Sequence, residues 1–161
     1  MRKVKVALDC DISHRIVGAL ESLYADRGFE FVAVDKLVPA ASTDDHWAAA
    51  FKRFGGEVTL SADTQIAVKP HKVLSFIDNG FQSFFLQSPW SRSRGHVKAA
   101  HVTFWWPTVE RKIAEGLKGR CWRVPCAVSK DSELRLKDCE LEELKIPHDV
   151  LEKARRAESG K

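Results

Sequence analysis

Asp9 and Asp11 flank Cys10 at the end of an apolar run, and two further aspartates, Asp44 and Asp63, stand where a helix begins and where another apolar run ends. Carboxylates are the ligands that hard divalent cations prefer. Two of them about 5 Å apart repel by roughly 3 kcal/mol at an effective dielectric near 20, so several at one mouth need a compensating charge. A divalent ion there would lower the pKa of a bound water and stabilise charge developing on a phosphate. Asp44 and Asp63 each have an ordinary explanation as well, at a helix terminus or a loop start. Asp9 and Asp11 are harder to dismiss, because a charged pair beside an apolar core is costly without partners.

The elements that must position these acids follow from the hydrophobic pattern. Val4 to Leu8 read as a strand, and alternation would send Asp9 and Asp11 to one side and Cys10 to the other. Ile12 to Tyr24 carry apolar residues at helical spacing, and Phe29 to Val34 read as a second strand. A helix follows from about Asp44 to Phe54, with Thr43 or Ser42 as its N-cap and Gly55-Gly56 as its stop. Glu57 to Leu60 form a third strand, Pro70 opens a helix to about Ile77, and Phe84 to Leu86 are the heart of a fourth strand. From about His96 the pattern is helical, with Pro107 either kinking that helix or opening a second one to Leu117. Trp122 to Val128 read as the last strand.

Strands alternating with helices predict an α/β fold with a mostly parallel central sheet flanked by helices. Ligands in such sheets bind beyond the carboxyl ends of the strands, where strand order reverses, and the acids belong there. Residues 1–128 are read as one domain and 129–161 as a charged C-terminal extension, partly helical or frayed.

At 161 residues, 44% hydrophobic and 30% charged, the chain is long enough for a core without disulfides and carries no apolar run that would cross a bilayer. Nothing at Met1-Arg2-Lys3 resembles a signal peptide, so the expected location is the cytoplasm, with no membrane partner. Cys10, Cys121, Cys126 and Cys139 lack Cys-x-x-Cys spacing and are read as small buried hydrophobes. The six histidines show no helical pair at zinc-binding spacing, and no glycine-rich phosphate loop is present. A net charge of +4 is compatible with a polyanionic partner without requiring one.

The order Leu8-Asp9-Cys10-Asp11, then Asp44-Asp45-His46-Trp47, then Ser61-Ala62-Asp63 resembles the PIN-like domains grouped with VapC-type toxins of bacterial toxin–antitoxin pairs. Lys69-Pro70, Phe85-Leu86 leading to Trp90, and Trp106-Pro107 extend the similarity over roughly Val4 to Val124. The resemblance implies a three-layer PIN-like fold and a Mg²⁺- or Mn²⁺-dependent ribonuclease that hydrolyses RNA phosphodiesters with a metal-activated water. Asp9, Asp44 and Asp63 match the family's acids, while Asp11 stands where that branch usually has Asn. Many PIN nucleases carry a further acid just after the third, whereas this chain has Thr64 and Gln65. The implied catalytic and metal-binding set is therefore Asp9, Asp11, Asp44 and Asp63, and the implied partners are RNA and a cognate antitoxin protein.

Supporting roles follow from chemistry. Ser61 is placed either to orient an acidic ligand or to bond local backbone. Asp45 is an alternative to Asp44 as ligand, and Trp47 reads as core. Arg92, Arg94, His96 and Lys98, with Trp90 nearby, form a basic stretch suited to phosphates and a splayed base, or else a plain solvated loop. Lys69, His71 and Lys72 are a weaker second patch. Trp105 and Trp106 read as core or as the face of a homodimer.

Two rival functions stand beside the nuclease. Asp9-Cys10-Asp11 also resembles the nucleophile and general acid of haloacid-dehalogenase-type phosphatases, although the chain lacks room for a cap and a late Lys followed by a double acid. A PIN-like domain with an incomplete site would instead serve as a scaffold for nucleic acid or a protein.

Overall fold

A computed structural model describes residues 2–125 and 141–160. Five strands, β1 (Val4–Leu8), β2 (Phe29–Ala33), β3 (Val58–Ser61), β4 (Gln82–Leu86) and β5 (Cys121–Val124), are all parallel, and β6 (Glu142–Glu143) closes one edge antiparallel to β5. The order across the sheet is β2-β1-β3-β4-β5-β6. Successive strands depart from β1 in opposite directions, so the switch point lies between β1 and β3.

The α-helices among the described residues are α1 (His14–Tyr24), α2 (Asp44–Arg53), α3 (Thr64–Val68), α4 (Pro70–Asp78), α5 (Gly95–Ala114) and α6 (His148–Ser159). Strand alternation divides the interior into two layers. Val6, Leu8, Phe84 and Leu86 face a core shared with Ile16 and Leu20 of α1 and Val102, Trp105, Trp106 and Val109 of α5. Ala7 and Phe85 face the other way, onto Trp47 and Phe51 of α2, Ile66 of α3, and Val73 and Phe76 of α4. The result is the expected mostly parallel sheet with helices on both faces.

Local sequence explains where the elements end. Thr43 caps α2 by accepting from the His46 amide at 3.4 Å. At the other end of α2, Gly55 takes φ +84° and the Gly56 amide donates to Phe51 O at 2.8 Å. A Cβ at Gly56 would sit 2.4 Å from the Phe51 ring, so that position admits only glycine without rearrangement. Pro70 opens α4 at a position where no amide donor is needed.

Of the two readings of Pro107, the structure has one continuous helix, α5, with the proline inside it. Trp106 is fully buried there, with its ring within 6 Å of Tyr24, Phe29 and Phe31, so the aromatic pair belongs to the core. The strand read as Trp122 to Val128 is Cys121–Val124, and residues 126–128 lie outside the described ones, as does the proposed boundary at 128/129. Past that gap, β6 pairs with β5, and Arg155 of α6 meets Asp78 of α4 at 2.7 Å.

Candidate metal centre

The parallel pairing of β1 with β3 brings two strand ends together at the switch point, where the Asp9 amide donates to Leu60 O at 3.1 Å. Asp9 is only 5% exposed. Its Oδ1 accepts from the Asp11 amide at 2.8 Å, and its Oδ2 accepts the hydroxyl of Ser61, which is itself buried. Ser61 Oγ in turn accepts from the Asp63 amide at 3.1 Å. Ser61 therefore orients an acid and braces the next one, which unites both of its expected roles. Among the described residues no cation pairs with the Asp9 carboxylate. Burial above all, and the nearby Asp11 charge as well, raise its pKa against the lowering effect of the Ser61 and Asp11 hydrogen bonds.

Asp9, Cys10, Asp11, Asp35, Asp44 and Asp63 line one cavity of about 70 Å³, closed on other sides by Val34, Val38 and Trp47. Asp63 caps α3 by accepting from the Gln65 amide at 2.8 Å, and Asp44 Oδ1 accepts from the Trp47 indole at 3.4 Å. Their second oxygens share one cation, with Lys72 Nζ 3.3 Å from Asp44 Oδ2 and 3.5 Å from Asp63 Oδ2. Desolvation opposes the charge on Lys72, but bonding and attraction from Asp44, then Asp63, outweigh it and move its pKa upward. Asp45 is exposed and does not line the cavity, so Asp44 is the better placed of the two.

Three expectations need correction. Cys10 does not point away from the acids: β1 ends at Leu8, a turn closed by the Ile12 amide on Asp9 O at 2.9 Å breaks the alternation, and the thiol joins Asp9 and Asp11 with ligand atoms within 4.8 Å of one another. Nor is Cys10 buried, as Cys121 is, while Cys126 and Cys139 lie outside the described residues. Partial desolvation and the Asp9 charge push the Cys10 thiol up to about 11, which keeps it protonated at neutral pH. Lys98 is not a solvent-facing phosphate contact. It is 8% exposed, and its ammonium donates to the Asp11 carbonyl at 2.8 Å, because a buried lysine must find an acceptor.

Lys98 thereby ties the first turn of α5 to the acidic turn. Arg92 and Arg94 remain exposed on the preceding loop, where Trp90 stacks on buried His101 at 4.4 Å between ring centroids. Sequence reasoning missed Asp35, which lines the cavity and pairs with His14 at 2.5 Å, and it placed Lys72 in a weaker basic patch rather than among the acids. The signal for Asp35 was available, since it follows the end of β2 by two residues, much as Asp63 follows β3.

The donor set fits a hard divalent cation. Asp9 is a desolvated carboxylate without a counter-charge, the exposed Asp11 carboxylate has no partner among the described residues, and the remaining donors nearby are carboxylate oxygens. The thiol is the one soft group, and it is protonated.

Fold and site together define a three-layer α/β protein with a mostly parallel sheet and an acidic mouth at the topological switch. A profile of the PIN-like domain family matches residues 4–88, which include all four predicted aspartates, Ser61 and Lys72. That is more than half of the chain, and the protein belongs to this family. No curated protein and no solved structure matches it. None of the helices among the described residues is long and apolar enough to cross a membrane.

Proposed function

We propose that this protein is a Mg²⁺- or Mn²⁺-dependent endoribonuclease, with Asp9, Asp11, Asp44 and Asp63 as its acidic site. The observation that carries the reading is the convergence of these four side chains on one cavity, with Asp9 buried and lacking a cation. When bound, the ion supplies activation of a water and neutralisation of phosphate charge. The chain's own residues do the positioning. Ser61 and the Asp11 amide fix both oxygens of Asp9, and Lys98 fixes the backbone of Asp11. Arg92 and Arg94 would meet the RNA backbone on the adjoining loop. A role as the toxin of a toxin–antitoxin pair, held by a cognate antitoxin in the cytoplasm, rests on the resemblance to VapC-type domains.

The test is cleavage of single-stranded RNA with Mn²⁺, comparing wild type with Asp9→Asn alongside a metal titration. Loss of an anionic ligand should lower the rate by at least the roughly 10- to 100-fold that loss of a group orienting a ligand costs. Equal rates and equal metal binding would sink the proposal. Arg92→Ala and Arg94→Ala should each weaken RNA binding and reduce its salt slope by about 1.

One observation favours the scaffold reading, namely that Lys72 already pairs with Asp44 and Asp63. A phosphatase using Asp9 as a covalent nucleophile is disfavoured, because both of its oxygens accept hydrogen bonds and the side chain is buried.

A further inference from the structure

The four predicted acids are not equivalent. Asp44 and Asp63 have every carboxylate oxygen engaged: Oδ1 by the Trp47 indole and the Gln65 amide respectively, and Oδ2 in both cases by the Lys72 ammonium. Asp9 also has both oxygens engaged, but by the Asp11 amide and the Ser61 hydroxyl, and among the described residues neither Asp9 nor Asp11 has a cation in contact with its carboxylate. One side of the cavity thus has an ammonium on its carboxylates, whereas on the other side Lys98 bonds the Asp11 carbonyl and no carboxylate.

The positions of these partners are set by the fold. Lys72 lies in the first turn of α4, whose start is fixed by Pro70, and α4 packs beside α2, whose first residue is Asp44. Its ammonium is therefore delivered by helix packing to a point between two carboxylates from separate segments. The side chain is 29% exposed, and those of Asp44 and Asp63 are 25% and 27% exposed, so the pairs are partly shielded from water and from screening by salt.

Resting on the nuclease reading, we infer that the centre takes a single divalent ion, on the Asp9 and Asp11 side, and that Lys72 stands in place of a second ion between Asp44 and Asp63. A second divalent cation would have to displace an ammonium already bonded to both oxygens it needs. Thr64 and Gln65, the two residues after Asp63, offer no additional carboxylate with which to compete. Lys72 is on this account a positioning residue. It holds Asp44 and Asp63 together and leaves the site with room for one ion rather than two.

The experiment is Mn²⁺ titration of the full chain, read by calorimetry and by the free-Mn²⁺ electron paramagnetic resonance signal, neither of which depends on activity. Wild type should bind one ion, Lys72→Gln and Lys72→Met should bind two, and Lys72→Arg should return to one. Lys72→Gln combined with Asp63→Asn should also return to one, which ties the second ion to the Asp44 and Asp63 side. Two ions in wild type would overturn the inference while leaving the nuclease reading intact. So would one ion at unchanged affinity in both neutral variants, with circular dichroism showing them folded. No Mn²⁺ bound by wild type or variants would remove the metal centre itself, and the inference with it.

Discussion

The two ends of the same parallel sheet handle charge in opposite ways. Beyond the carboxyl ends, five aspartates line a cavity of about 70 Å³, and Asp9 is nearly sealed from water. Beyond the amino ends lies a roomier hollow of about 240 Å³, lined by Arg2, Lys52 and Lys118 with Glu57 and four glycines. There the charges are solvated or already matched: Arg2 meets Glu57 at 3.2 Å, and Lys52 and Lys118 are exposed. Size does not single out the acidic end. The smaller cavity is the one where an acid, Asp9, is kept out of water, an arrangement that costs stability and is found at functional sites.

If that contrast is right, removing a group that braces the acids should cost function far more than removing a charge at the opposite end. Ser61→Ala is the sharpest case. It leaves Asp9 Oδ2 and the Asp63 amide without their shared partner, so the carboxylate loses its fixed orientation. Metal affinity should fall by about 10- to 100-fold, as is usual for groups that orient ligands, measured by Mn²⁺ calorimetry. Affinity unchanged in Ser61→Ala would mean that Asp9 is held by the fold alone and that the contrast between the ends is overstated.

A smaller effect with a definite sign is expected for stability. The folded pKa of Asp9 is raised, mainly by burial. Between its unfolded and folded values the native state therefore holds more protons than the unfolded chain, and stability falls as pH rises through that window. Asp9→Asn cannot ionise. In metal-free protein its thermal midpoint should exceed that of wild type at pH 7, by an amount that shrinks as pH falls through the same window. Mn²⁺ should reverse the ranking, because only wild type keeps the ligand. A variant less stable than wild type at pH 7 without metal would show that the hydrogen bonds to the carboxylate outweigh its desolvation.

How much of this was legible beforehand differs residue by residue. Asp9 and Asp63 could be placed because parallel strands bring their carboxyl ends to one edge, and an acid just past an apolar run must then lie there. Ser61 could be placed for the same reason. Cys10 could not, because period-two alternation holds only while the backbone is extended, and the turn after Leu8 ends it. Lys98 read as solvated because charge dominates its pattern, whereas packing buries its stem and leaves the Asp11 carbonyl as its acceptor. Lys72 was least legible. Its role depends on α4 lying beside α2, a contact between segments that no local pattern encodes, and in the sequence it is one more cation on a helix.

The smallest prediction tests the other end of the sheet. Arg2 and Glu57 form an ion pair with side chains 80% and 36% exposed, so water competes for both and salt screens them. Exposed pairs of this kind contribute about 0–1 kcal/mol, because the gain in attraction is offset by the ordering of two long side chains. Arg2→Ala should therefore move stability by no more than about 0.5 kcal/mol in denaturant melts, and leave Mn²⁺ affinity and RNA cleavage unchanged. Parallel strands run the length of the sheet from this hollow to the acids, so a loss of metal affinity in Arg2→Ala would mean that the two ends are coupled through β1. In that case the separation between a solvated, balanced end and a desolvated, acidic end would no longer account for where the chemistry sits.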